Sequence, residues 1–251
     1  MIIVGDWLLS SGQYQTLLES SLVTVQILLY SFVLGIVLSL VVGVGRLSEH
    51  EWVRGAALAF VEFARGISSI ILLFIVAIAA PILLGIPQAS LILLATIALG
   101  INMGGYGAEI IRGAIQSVPK GQTEASISLN LSPMQQLRHV VLPQAMRVIL
   151  PPMGNLTIEI LKGTALVSLV GVTDIMQSAR NIRQEQLADQ VGTLPILYLN
   201  VLVLYFILAQ VVNALFKFWE WRVNKSFMGG PALTRDELPP DVLHAGAGVG
   251  G

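Results

Sequence analysis

Apolar residues in this chain gather into long runs and do not alternate with polar ones. A helix crossing a hydrocarbon core needs about 20 mostly apolar residues. Five runs satisfy this: 22–44, 53–84, 89–111, 148–172 and 194–218. The second is longer than a crossing requires and is strongest from Ile67 onward. A polar stretch, 112–147, separates the third run from the fourth. The pattern predicts an all-α integral membrane protein with about five transmembrane helices. It divides into an outer N-terminal segment 1–20, a transmembrane domain 21–222 and a cytoplasmic tail 223–251. The tail holds Gly229-Gly230-Pro231, Pro239-Pro240 and a small-residue run 245–251, which cannot build a packed core and read as disordered. Residues 1–20 do not read as a signal peptide, because Asp6 stands where a basic start is expected and no small-residue cleavage site follows an apolar core.

Composition supports this reading. Hydrophobic residues make up 55% of the 251 and charged residues only 12%, where a soluble domain carries about 25%. A soluble enzyme is therefore excluded as the default. Lys and Arg number 14 against 15 Asp and Glu, which leaves no basic footprint for nucleic acid. With no cysteine there is no disulfide framework, thiolate nucleophile or Cys-type zinc site. Cytoplasmic loops carry excess Lys and Arg. With the N-terminus outside and the C-terminus inside, Arg46, Arg54, Arg112, Lys120, Arg138, Arg147, Lys217, Arg222, Lys225 and Arg235 all fall inside, and only Arg180 and Arg183 lie in outer loops.

The 112–147 loop reads as two short helices. Ser117 is placed to cap the first, with Pro119 in its first turn. Asn130 stands where the chain must leave that helix, and Asn follows Gly as the choice for a left-handed exit. Ser132-Pro133 restarts a helix toward Val141, and Pro143 marks the junction with the next span. Apolar Ile127, Leu129, Leu131 and Met134 surround the bend. They either pack back onto the spans or form a knob for a soluble partner.

Glu124-Ala125-Ser126, three residues, Asn130, nine residues, Val140, one residue, Leu142-Pro143 resembles the EAA motif of ABC importer membrane subunits. The run Arg112 to Gln122 and the segments Leu142-Pro143-Gln144-Ala145, Pro151-Pro152-Met153-Gly154-Asn155 and Leu161-Lys162-Gly163-Thr164-Ala165-Leu166 resemble the polar amino acid (histidine, glutamine, arginine) permease branch. The resemblance implies a type I ABC importer fold in the bacterial inner membrane, with a cytoplasmic coupling helix. Gln122, Glu124, Ala125, Ser126, Leu129, Asn130 and Leu131 would then meet an ATPase. It also implies two ATP-binding subunits that hold ATP and Mg in place of this chain, and a second permease, identical or homologous. An extracytoplasmic binding protein would deliver a polar amino acid or a related small zwitterion such as ectoine. Ser126 replaces the motif's second Ala and Asn130 its Gly. Arg65-Gly66-Ile67-Ser68-Ser69 stands where the family has Arg, one or two residues and Pro-Leu. The missing proline predicts a second span without the family's bend.

Charges within spans are costly, about 2.5–3.5 kcal/mol at the centre on insertion scales, and so are functional candidates. Glu159 and Lys162 lie at i and i+3 on one helix face. They either form a structural pair or line a polar cavity, with Thr157 and Thr164 nearby. Glu62 and Arg65 share that spacing near the inner end of the second span, as a structural pair or subunit contact. Gly104-Gly105-Tyr106-Gly107 permits either close helix approach or an irregular cavity lining. The substrate-path candidates are thus Glu159, Lys162, Thr164, Tyr106 and Arg65. No catalytic or metal-ligating set is expected: His50, His139 and His244 are scattered, and no HExxH, GxSxG or Walker-type segment occurs. The rival class is a small channel or secondary transporter without an ATPase, for which a docking loop has no purpose.

Overall fold

A computed structural model describes residues 9–188 and 194–228, which contain helices and connecting turns but no strand. The helices are α1 (Ser11–Gly45), α2 (Glu51–Gly66), α3 (Ser69–Leu83), α4 (Leu91–Gln116), α5 (Lys120–Ser128), α6 (Pro133–Val170), α7 (Ile175–Ala188) and α8 (Leu194–Met228). Four of them are long and apolar enough to cross a membrane, and α2 with α3 makes a fifth, broken span.

α1 starts at Ser11, well ahead of the expected 22. Ser10 caps it: its hydroxyl accepts from the Gln13 amide while the Gln13 side chain accepts from the Ser10 amide. This capping box satisfies two free N–H groups of the first turn. The expected outer segment 1–20 is therefore helical from residue 11, and residues 1–8 lie outside the described residues.

α1 and α4 form the central pair, in parallel. Their seam is closed by glycine. A Cβ on Gly104 would stand 2.7 Å from the Leu38 Cβ, and one on Gly35 2.7 Å from the Met103 side chain. Gly100 faces Leu34 and Gly107 faces Ser39 in the same way. Without water to drive helices together, packing of this kind carries association in a bilayer. The Gly104–Gly107 segment is regular helix, so of its two readings close approach is the one realised. Ile27, Leu72, Leu99, Met103 and Leu161 are buried around this pair.

The second span is not straight. α2 and α3 meet at 103°, which overturns the expectation drawn from the missing proline. Ile67 is extended (φ −94°, ψ 140°) and Ser68 is extended ahead of α3. The break diverts the amides of Ser68 and Ser69 from the carbonyls of Ala64 and Arg65. α4 supplies replacements: the Asn102 side-chain amide donates to the Ala64 carbonyl at 3.3 Å and the Tyr106 hydroxyl to the Arg65 carbonyl at 3.5 Å. Gly66 contributes low helix propensity at the same point.

Four further differences concern boundaries. Ser117 ends α4, its hydroxyl donating to the Ala114 carbonyl, and does not open α5, whose first residue is Lys120. The fourth span is continuous with the second loop helix: α6 runs from Pro133 through a π-helical turn at Leu137–Val141, which absorbs Pro143, and ends in a 3-10 segment at Thr164–Val170. Gly171, at φ 92°, stops it in the left-handed region. The stretch 174–192, expected as an outer loop, is largely the helix α7, which buries Ile175, Ser178, Ala179 and Ile182 on one face. Residues 189–193 lie outside the described residues, as do 229–251; α8 itself extends to Met228, past the expected tail boundary at 223.

Candidate functional site

Two places gather the expected residues. The first is the bend after α5. Asn130 takes φ 53°, the one positive φ at a described non-glycine residue. Short polar side chains tolerate this region and bulky ones do not. The Leu131 amide donates to the Ser126 carbonyl and the Asn130 amide to that of Ile127, closing the helix end. Ser132 then opens α6 with a second capping box through Gln135. Three of the four apolar residues at the bend do not fold back onto the spans. Ile127 is 57% exposed, Leu129 73% and Met134 70%. Glu124, Ala125 and Asn130 are also exposed, Leu131 is half-buried, and Ser126 is buried, donating to the Thr123 carbonyl. The Gln144 amide on α6 donates to the Gln122 side chain at 3.1 Å, so the exposed helix is fastened to the long one.

The second place is an open cleft of about 470 Å³ between α2, α4 and α6. Its walls carry Arg65, Tyr106, Glu109, Asn155 and Glu159, with Pro152 among its apolar members. The Arg65 guanidinium lies over the Tyr106 ring, 5.4 Å from its centroid, an attractive cation–π arrangement. It makes no ion pair with Glu62 among the described residues. Glu109 is fully engaged. Arg46 Nε donates to Oε1 at 3.1 Å, and Arg112 donates to Oε2 from Nε at 2.9 Å and Nη2 at 2.7 Å. Glu159 differs: it is exposed and makes no ion pair or hydrogen bond among the described residues. The i, i+3 spacing to Lys162 does not produce a pair. The cleft thus offers one unengaged carboxylate and one guanidinium resting on a ring, a set suited to a ligand bearing both charges.

Of the substrate-path candidates, Glu159, Tyr106 and Arg65 share this cleft. Lys162 is exposed on α6 without lining it, and Thr164 is buried at the start of the 3-10 segment, donating to the Leu161 carbonyl at 2.6 Å. Asn155 and Pro152 were not singled out from the sequence, although both belong to the Pro151-to-Asn155 run quoted for the resemblance. Arg46 was read only as a loop charge, because its partner Glu109 is 63 positions away.

A third polar group lies toward the other end of the spans. Asp174 is fully buried. Its Oδ1 accepts from the Gln177 amide at 2.9 Å, capping α7, and its Oδ2 accepts from the Tyr205 hydroxyl at 3.4 Å. The Ile175 amide donates to the Thr24 hydroxyl at 3.3 Å. α1, α7 and α8 are joined here by hydrogen bonds. Burial pushes the Asp174 carboxyl above the usual carboxylate range, against the pull of the amides that bond it.

Comparison with known proteins gives a consistent result. The family model described as binding-protein-dependent transport system inner membrane component matches residues 31–225. A probable amino-acid ABC transporter permease protein of Sinorhizobium fredii is 39% identical over 81% of this chain and 85% of its own. The glutamine transport system permease protein of Escherichia coli is 31% identical over 87% and 98%, and the L-cystine transport system permease protein of Bacillus subtilis 31% over 80% and 84%. Among solved structures, an amino acid ABC transporter crystallised with histidines matches at TM-score 0.73 and 27% identity, covering 83% of this chain and 94% of that one. An inward-facing methionine ABC transporter matches in fold at TM-score 0.70 and 22% identity, over 86% and 99%.

Proposed function

The chain belongs to the binding-protein-dependent transport system inner membrane components, as an amino-acid ABC transporter permease subunit, and from that premise we propose how it works. It is the membrane path of an ATP-driven importer in the bacterial inner membrane. Two separate ATPase subunits hold ATP and Mg, a second permease completes the path, and an extracytoplasmic binding protein delivers the substrate. The substrate is a polar amino acid or a related small zwitterion, with ectoine-like solutes inside that chemical class.

The observation that carries the reading is the exposed apolar bend. Ile127, Leu129 and Met134 face outward around a left-handed Asn130 at the end of a helix fastened to α6. A channel or secondary transporter has no use for such a surface, whereas a coupling helix docks through one. ATPase closure would move the bend and, through α6, the cleft wall that holds Asn155 and Glu159. In that cleft Glu159 receives the substrate's ammonium and Arg65 its carboxylate. The relatives carry glutamine and L-cystine, which share those two groups and differ in side chain.

The test is substrate-stimulated ATP hydrolysis by the complete transporter in proteoliposomes. Asn130→Gly should keep stimulation. Asn130→Val should lose it, because a left-handed conformation costs an L-residue about 1–2 kcal/mol and a β-branched one more. Equal stimulation in the two variants would refute the docking role.

A further inference from the structure

The last helix outruns the bundle. α8 has 35 residues, about 52 Å at 1.5 Å per residue, against a hydrocarbon core of about 30 Å. Phe216 is its last residue packed on the core: it meets Phe32 edge-on at 6.1 Å and lies against Gly154. The segment from Leu194 to Phe216 alone covers about 34 Å, so the residues beyond it sit at headgroup depth.

Those residues form a strip. Lys217, Phe218, Trp219, Trp221, Arg222 and Lys225 are all exposed. Positions 218, 221, 222 and 225 fall on one helix face. Along it Phe218 and Trp221 stack with centroids 6.2 Å apart, Arg222 lies 5.6 Å from the Phe218 centroid and Lys225 5.1 Å from that of Trp221. None of the three cations has a carboxylate partner among the described residues, and Glu220 is the single acid between 217 and 228.

We propose that this strip is a binding site for phospholipids with anionic headgroups. Rings exposed to this extent are stable at the lipid–water boundary, where aromatic side chains concentrate. Cations laid against rings at the same depth point to phosphate and other headgroup anions. The inference rests on the multi-pass reading of the chain and is independent of the transported substrate and of which side the helix end faces.

The experiment uses the full chain with Trp7→Phe and Trp52→Phe, so that of its four tryptophans only Trp219 and Trp221 report. It is reconstituted in vesicles containing brominated phosphatidylglycerol or brominated phosphatidylcholine, and fluorescence quenching gives the relative affinity. Each basic residue near a surface favours anionic lipid by a factor of about five. A preference for phosphatidylglycerol of about fivefold or more is expected at low salt, shrinking at high salt. Lys217→Gln, Arg222→Gln and Lys225→Gln together should bring it near unity without moving the thermal unfolding midpoint. Equal quenching by both lipids before those changes, or a preference that survives them, overturns the proposal. So does a preference that emerges only when Asp236→Asn, Glu237→Gln and Asp241→Asn are introduced, because the chain's own acids would then be the occupant. Failure of transport in any variant would bear on the importer reading and leave the quenching result untouched.

Discussion

Replacing Asn102 with leucine tests the account of the broken span. Asn102 is 6% exposed and the Ala64 beside it is fully buried, so water cannot reach the carbonyl that the Asn102 amide serves. A buried carbonyl without a donor costs about 1–3 kcal/mol. Interhelical hydrogen bonds inside membranes average nearer 0.6 kcal/mol, with a maximum of about 1.7, because the unfolded reference also finds partners. Full burial on both sides places Asn102→Leu near the top of that lower range, at about 1–2 kcal/mol. For a chain of this size that is a fall in unfolding midpoint of roughly 2–8 °C. Tyr106→Phe removes the companion bond, but at 3.5 Å and on an exposed hydroxyl, so its loss should stay below about 0.5 kcal/mol. The assay is thermal unfolding of the purified chain in one detergent, followed by intrinsic fluorescence. An unchanged midpoint for Asn102→Leu would show that the break does not depend on the α4 donor to Ala64, and a larger loss for Tyr106→Phe would refute the assignment of the main support to Asn102.

Three other outcomes are expected. Glu159→Gln should leave the unfolding midpoint within about 0.5 kcal/mol of wild type, because Glu159 has no pair to lose among the described residues, yet should weaken uptake of the native amino acid; uptake at unchanged apparent affinity would remove Glu159 from recognition. Gly105→Ala should destabilise by about 1–3 kcal/mol, since the new Cβ would stand 2.5 Å from the Ala64 Cβ, while Gly113→Ala, with nothing within 4 Å, should be neutral or stabilising in the same unfolding assay. Asp174→Asn should be at least as stable as wild type at neutral pH, since Asn caps as well as Asp. The raised carboxyl of Asp174 contributes stability when protonated, which is lost as pH rises through its folded value; acidification from neutral should therefore favour wild type over the Asn variant, and parallel unfolding curves at every pH would contradict this.

Features set by neighbours in sequence were legible. The spans follow from local apolarity, and the reversal at Asn130 and the start at Ser132 follow from the side chains at those positions. Features set by distant partners were not. The bend at Gly66–Ser68 lacks the expected proline and is held by Asn102 and Tyr106, about 40 positions on. The pairing of Glu109 with Arg112 follows from their i, i+3 spacing, but its second partner Arg46, at the end of another helix, left no mark in the sequence. The Glu159–Lys162 spacing satisfied the rule for a pair, but both side chains are exposed on α6, where nothing holds them together. α7 was hidden by its polarity, although Ile175, Ala179 and Ile182 at i, i+4 and i+7 mark a buried face.

The glycine seam between α1 and α4 also decides which parts of this permease can move. Sliding one helix past the other by a turn, about 5.4 Å, would carry Leu38 from Gly104 onto Ala108 in one direction, or bring Leu34 from Gly100 onto Thr96 in the other. In either case a bulky side chain meets a Cβ where it now meets none. The seam therefore has a single register, pinned again at one end by Arg46 and Glu109. α1 and α4 behave as a stator. α2 is held to the same pair where Gly105 meets Ala64, so alternation of the proposed cleft would fall to the long α6 on its other side, and inhibitors or disulfide staples meant to freeze a transport cycle should be aimed at that helix.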